Sequence, residues 1–515
     1  MPLSRWWALP LLGLLWLAGL FYFLQTTLHH DIAWYLVASD RFLDGAKLYR
    51  DIFEINPPLV IYLTVPPVAA ARLTGLEPIT CLVVYVFLLI ALSLAICNHL
   101  LKAQADLPAG YRVGVLFAAF AALVLQPLTF LGQREHFLII LSLPYLLLLT
   151  SRFAGIRCGK GEAVSIGLLA VFGFALKPYF LIVPAGLELY LAIQRRSLVT
   201  WLRPESLGLG AGLCAYAVFV YLVYPEYFSF IIPFALLTYA EAYGAPFRSV
   251  LMKPSIAAVL FGTILYGLGR RAPSVDRRGD VFIVAMAGFL GSYLIQQKGW
   301  SYHLYPALAM VWLALAILVL ERMTGVQSRA QWAGSILTAA WAGHFILVAV
   351  LGAPYRNGVA EEMLPIVERY APGGALYAFA SNTWVGFPLV NEAHVQWASR
   401  FPSPQWLLVG AVTQLAGSTR LDPARRAKLE KVASYQTEAV IEDFERWTPD
   451  LVVVDRQNRV DFLGYYLANV RFAALWQSYV RIGDVQARSR GGLRRFDVWC
   501  RTGRPIPCDP IDQTR

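Results

Sequence analysis

Residues 79–101 read ITCLVVYVFLLIALSLAICNHLL, with no Asp, Glu, Lys or Arg between Glu77 and Lys102. An α-helix rises about 1.5 Å per residue, so roughly 20 apolar residues cross the hydrocarbon core of a bilayer. This stretch is long and apolar enough to be a transmembrane helix. Similar stretches lie on both sides of it, at about 6–24, 113–130, 137–150, 163–176, 179–193, 206–224, 255–269, 281–296, 303–320 and 332–352. Together they predict about eleven transmembrane helices. The first follows Arg5 and has no small-x-small cleavage pattern after it, so it reads as an uncleaved helix rather than a removed leader.

Composition agrees. The chain is 57% hydrophobic and only 15% charged, with mean hydropathy +0.53, against about 25% charged residues in soluble domains. Its net charge of +11 fits basic cytoplasmic loops and an anionic lipid ligand. No basic stripe with interleaved aromatics indicates nucleic acid, so no nucleic-acid partner is expected.

Charge also orients the helices. With the N-terminus cytoplasmic and alternate crossings, fifteen Lys/Arg fall in short inside loops: Arg5, Lys102, Arg112, Arg152, Arg157, Lys160, Arg195, Arg196, Arg203, Arg270, Arg271, Arg277, Arg278, Arg322 and Arg329. Nine are spread over the longer outside stretches, and twenty lie in the tail. This is a positive-inside bias. It supports two helices separated at Lys177 rather than one kinked segment, since one merged helix would invert every later loop. The odd helix count then puts the tail outside.

Two regions follow: a membrane module, 1–352, whose first outside loop spans about 25–78, and an extracytoplasmic tail, 353–515. The tail carries β-type runs at Ala375–Ala380 and Leu451–Val454 and a helical pattern over 422–446. Strands alternating with helices predict a small α/β domain. Cys500 and Cys508 are close enough in sequence to form a disulfide there. No CxxC or His/Cys cluster indicates zinc. The small-residue run Gly208–Gly212 fits helix packing and lacks the context of a phosphate loop.

Ionisable residues at membrane boundaries are costly, and each invites a functional hypothesis. In this topology they gather on the outside face. The first loop carries His29-His30-Asp31, Asp44-Gly45, Tyr49, Glu54 and Asn56-Pro57-Pro58-Leu59. Its apolar positions Trp34, Leu36, Val37, Phe42 and Leu43 predict an amphipathic helix on the membrane surface. Later outside turns supply Arg134-Glu135-His136, Lys177 and Lys298-Gly299-Trp300-Ser301-Tyr302-His303. Positioned cations stabilise a leaving phosphate, and a carboxylate takes a proton from an attacking hydroxyl. Plainer roles compete at each position. Asp31 also suits a helix N-cap, Glu54 a salt bridge with Arg50, and Lys177 a snorkelling helix end.

Asp31, Asp44-Gly45, Tyr49 and Asn56-Pro57-Pro58-Leu59 resemble the first extracytoplasmic loop of GT-C glycosyltransferases, such as protein O-mannosyltransferases and lipid A aminoarabinose transferases. The resemblance covers the membrane part, about 1–320, and is specific in the first loop. It implies a GT-C-like polytopic α-helical membrane fold in a bacterial-type inner membrane. It implies inverting transfer of a sugar from a polyprenyl-phosphate donor to an acceptor hydroxyl on a glycan, lipid or protein. Asp31 takes the position of the family's catalytic base, with Glu54 or Asp51 as a second carboxylate. Arg134, His136, Lys177, Lys298, Tyr302 and His303 are the candidates for the donor phosphate and sugar. The chain departs from the family at Ile32, where many members have Glu, and at Asn56, where many have Lys. No tightly bound cofactor is expected. Proton transfer by Asp31 needs no metal, so none is expected. A flippase of lipid-linked sugars and a non-catalytic sugar-lipid-binding member of the fold are the rival readings. A flippase favours repeated halves and midplane polar sites, and neither is evident.

Overall fold

The computed structural model describes residues 7–104, 107–153, 158–270, 278–323, 329–352, 354–417, 421–489 and 492–511. Of the basic residues that orient the helices, Arg5, Arg157, Arg271 and Arg277 lie outside them. Packing divides the chain into two compact units: Met1–Thr26, Pro66–Val220 and Ala245–Tyr355 form the first, and Thr27–Val65, Tyr221–Gly244 and Arg356–Arg515 form the second. This partition differs from a cut between 352 and 353, because the first loop groups with the tail.

Each predicted apolar segment falls on a helix. These are Ala8–Phe23, Pro78–Lys102, Ala109–Phe120 continued by a π turn at Ala121–Leu125, Arg134–Phe153, Lys160–Phe174, Ile182–Arg195, Pro204–Val223, Pro254–Gly269, Asp280–Gln296, Ser301–Met323 and Arg329–Leu351. Among the described residues, four stretches are long and apolar enough to cross a membrane: Pro78–Lys102, Arg134–Arg152, Pro204–Val223 and Ser301–Met323. Shorter apolar helices accompany them. The protein is a membrane protein built mostly of helices.

Local chemistry sets the helix ends. Pro78 and Pro254 occupy first helical turns, where the missing N–H costs nothing. Lys177 is extended, at φ −145° and ψ 138°, because the following Pro178 disfavours the α conformation. The chain therefore breaks there, and a 3₁₀ turn at Pro178–Leu181 starts the next helix. In the first unit the Arg134–Arg152 span is buried along its whole apolar window. It is surrounded by protein, which is why a helix with Arg, Glu and His in its first turn is tolerated. Gly208 packs where a Cβ would come within 2.8 Å of the Val164 carbonyl oxygen, the close approach of backbones that small residues allow. Arg152 grips the buried Glu205 carboxylate with two bonds of 2.8 Å.

The second unit holds a five-stranded sheet. Its strands are β1 (Ala375–Phe379), β2 (Gln396–Trp397), β3 (Leu451–Asp455), β4 (Tyr479–Ser489) and β5 (Gly492–Arg501), in the order β2-β1-β3-β5-β4. β2, β1 and β3 run parallel, and β5 and β4 add antiparallel. β1 and β3 are buried at every position, as expected for parallel strands covered on both faces. A disulfide joins Cys500 at the end of β5 to Cys508, with Cα atoms 5.7 Å apart.

The first loop is bound into this unit. Its helix His30–Leu43 buries Ile32, Ala33, Trp34, Tyr35, Leu36, Ala38 and Ser39. Arg41 donates to the carbonyl of Ser399 at 2.7 Å and to that of Trp397. Phe53 N donates to the Arg400 carbonyl at 2.8 Å, and the Phe53 ring lies 4.9 Å from Phe401 and 5.8 Å from Trp406. Of the apolar positions expected to meet the membrane, Trp34 and Leu36 are buried against protein, while Leu43 at the end of the helix stays exposed.

Candidate functional site

The second unit places Asp31 in the first turn of helix His30–Leu43. His29 precedes it in extended backbone and caps the helix, its Nδ1 accepting from Asp31 N at 3.4 Å. A helix N-terminus favours a negative charge. The Asp31 carboxylate is 3.6 Å from His30 Nε2 and 4.0 Å from His29 Nδ1. The two imidazoles lie with centroids 3.9 Å apart and planes tilted by 30°. At 18% side-chain exposure Asp31 stays accessible. It is both a first-turn anion and a carboxylate flanked by two proton carriers. The ligand atoms of His29, His30 and Asp31 lie within 4.8 Å of one another, so this is where a divalent ion could be held among the described residues.

Glu54 is 3% exposed and faces inward. Its Oε2 accepts from Trp34 Nε1 at 3.0 Å, and its Oε1 accepts from Asn56 N at 2.9 Å and from Asn56 Nδ2. It braces the loop against the helix that carries Asp31. The salt bridge considered between Glu54 and Arg50 does not form, because Arg50 pairs with Glu226. Asp51 accepts from Lys47 N at 2.9 Å and closes its own turn.

The first unit gathers the basic candidates. Lys177 Nζ donates to Glu135 Oε1 at 2.6 Å, to Gln296 Oε1 at 3.3 Å and to His303 Nε2 at 3.1 Å. Glu135 is fully buried, and Lys177 and His303 are each 5% exposed. An ammonium has no lone pair, so in its contact with Lys177 the Nε2 of His303 accepts; the same nitrogen lies 3.5 Å from Glu135 Oε1. The ring proton then sits on Nδ1, which meets no acceptor among the described residues. The charges of Lys177, Arg134 and Lys298 all act on this ring. Burial lowers the Lys298 pKa to about 8, so a bound anion would draw its proton on more tightly. The Tyr302 ring lies 4.5 Å from His303 and 5.9 Å from Phe130, with Lys177 Nζ 6.0 Å from its centre.

His136 has a different job from the one expected. It is fully buried, its Nδ1 accepts from Gly132 N at 3.0 Å, and its Nε2 lies 2.7 Å from the Leu123 carbonyl. Both ring nitrogens are committed to backbone, so the residue holds the turn before Arg134 and leaves no ring nitrogen for a donor. Gln296 was not among the candidates, although it lies two residues before Lys298. An amide gives no charge signal, and only its contact with Lys177 reveals it.

No protein-family model matches the chain, and no curated protein matches it. A structure search finds the mycobacterial arabinofuranosyltransferase AftD, solved by single-particle cryo-EM, at 15% identity and a TM-score of 0.49. The match covers 97% of this chain and 40% of AftD, so the chain spans less than half the length of the protein it resembles.

Proposed function

We propose that this chain is an inverting glycosyltransferase that moves a sugar from a polyprenyl-phosphate donor to an acceptor hydroxyl on the extracytoplasmic face of the membrane. The observation that carries the reading is the His303 centre. Three basic side chains act on one buried imidazole whose Nδ1–H has no acceptor among the described residues. Buried polar groups without partners are rare and call for a ligand or water. An anionic phosphate would accept from Nδ1–H, and the surrounding cations would stabilise it as a leaving group.

Asp31 takes the proton of the acceptor hydroxyl, which attacks the anomeric carbon from the face opposite the phosphate. The new glycosidic bond forms as the bond to phosphate breaks, and configuration inverts. Lys177 holds His303 in its donating tautomer. These residues supply base and leaving-group stabilisation without a metal or a tightly bound cofactor. The disulfide supports an extracytoplasmic tail, since such bonds persist in oxidising compartments.

The reading is tested by offering purified protein a panel of labelled polyprenyl-phosphate sugars with membrane extract as acceptor. Transfer from at least one donor, with lipid phosphate released in equal amount, supports it. Donor binding without transfer or hydrolysis would point to a non-catalytic sugar-lipid protein.

A further inference from the structure

The sheet of the second unit has a topological switch point. From β1 the chain passes through the 3₁₀ turn Thr383–Val385 to β2 on one side, while β3 connects to β4 and β5 on the other. In open α/β sheets the crevice outside the carboxyl ends of two strands that diverge in this way is the usual place for a ligand. Here those ends are Ser381-Asn382 after β1 and Arg456-Gln457-Asn458 after β3.

The edge is built firmly. Asn458 Nδ2 donates to the carbonyls of Phe379 at 3.2 Å and Asp455 at 2.7 Å. Its Oδ1 accepts from Ser381 Oγ at 3.3 Å. Asn357 Nδ2 donates to the carbonyls of Trp384 at 2.7 Å and Phe387 at 2.9 Å, which fixes the loop that carries Trp384. The Arg494 guanidinium lies 5.4 Å from the Trp384 ring centre and is held by Asp455 at 2.6 Å. The half-exposed indole is thus a platform set before any ligand arrives, which reduces the ordering cost of binding.

This edge adjoins Asp31. Asn391 Nδ2 donates to the Ala33 carbonyl at 3.2 Å, and the Trp34 ring lies 5.6 Å from Phe387. Tyr243 Oη donates to the Ser381 carbonyl at 2.5 Å, and the Asp31 charge acts on that same phenol. The segment after β1 and the first turn of helix His30–Leu43 therefore meet.

We infer that the carboxyl edge of β1 and β3 binds a neutral glycan, with Trp384 as the stacking platform and Ser381 and Asn382 as hydrogen-bonding groups, and that this glycan is the acceptor presented to Asp31. The charges at the edge cancel in pairs, Asp455 with Arg494 and Asp497 with Arg456. What remains is an indole face, a hydroxyl and an amide, which match the C–H face and hydroxyl rim of a sugar. The role as acceptor rests on the glycosyltransferase reading, whereas the binding does not.

The test uses full-length protein in nanodiscs and a panel of neutral disaccharides of glucose, mannose, galactose and arabinose, with binding followed by saturation-transfer NMR. At least one should bind. Trp384→Ala should weaken it at least tenfold and Trp384→Phe no more than about threefold, both with wild-type unfolding temperatures. If Trp384→Ala destabilises the protein, Asn382→Ala replaces it with the same expectation. A wild type that binds no disaccharide better than Trp384→Ala overturns the glycan site. Binding without transfer from any donor keeps the site and removes the transferase reading. Transfer with an unchanged acceptor KM in folded Trp384→Ala does the reverse.

Discussion

Lys177 Nζ lies 3.1 Å from Nε2 of His303, and with the ammonium as donor the ring proton sits on Nδ1. The same ammonium is paired with buried Glu135. Lys177 therefore acts on the proposed donor phosphate through His303, while its charge pairs with that buried carboxylate at 2.6 Å.

Two costs follow when Lys177 is removed. Lys177→Met leaves Glu135 uncompensated, and breaking a buried pair costs about 3–5 kcal/mol. It also releases the His303 tautomer. Thermal unfolding should fall in Lys177→Met and recover in Lys177→Met/Glu135→Gln, but donor affinity should stay at least tenfold weak in both. Recovery of affinity along with stability would make the pair purely structural.

Lys298 gives a pH signature with a definite sign. Its pKa is lowered from 10.5 to about 8 by burial. Between those values the unfolded chain binds a proton that the folded chain lacks, so this residue's contribution to stability rises with pH across that window. Donor affinity should move the other way, weakening as pH rises through about 8 because the phosphate loses a cation. Lys298→Met should flatten that affinity profile, and titration of donor binding from pH 6.5 to 9.5 measures it.

Glu54 separates bracing from chemistry. Glu54→Gln keeps the size but weakens charge-assisted bonds to Trp34 and Asn56, each worth about 1.5–3 kcal/mol. The expected result is a lower unfolding temperature with kcat reduced only a few-fold. Complete loss of transfer in a protein that unfolds like wild type would instead make Glu54 a catalytic carboxylate.

The disulfide closes a short loop, so its loss should cost about 2–3 kcal/mol in the chain-entropy description. Cys500→Ser/Cys508→Ser should lower the unfolding temperature of the tail. In intact cells a thiol reagent should label neither cysteine until a reductant is added. Labelling without reduction would argue against an oxidising compartment for the tail.

The membrane helices were legible because an apolar run of about 20 residues has few other uses, and the break at Lys177 was legible because Pro178 follows it. Asp31 stood out for a local reason, a carboxylate in a first helical turn behind two histidines. What was hidden depends on distant partners. His136 looks like a ligand until Gly132 N and the Leu123 carbonyl occupy its ring. Helix His30–Leu43 has the pattern of a surface helix, and nothing near it in sequence announces that Arg41 reaches the carbonyl of Ser399. The β4–β5 hairpin escaped notice because Arg481, Asp484, Arg488, Arg494 and Arg495 make its strands read as a solvated charged segment. In the fold Arg495 pairs with Asp484 across the ladder at 2.8 Å, Arg481 with Asp497 at 3.0 Å and Arg494 with Asp455 of β3 at 2.6 Å.

The most direct measurement is transfer of labelled sugar by wild type and Asp31→Asn in parallel, with donor affinity and unfolding temperature recorded for both. The expected result is transfer by wild type with inverted anomeric configuration, and a loss of at least a hundredfold in kcat for Asp31→Asn at unchanged donor affinity and stability. Transfer at the wild-type rate by folded Asp31→Asn would contradict the role of Asp31 as base.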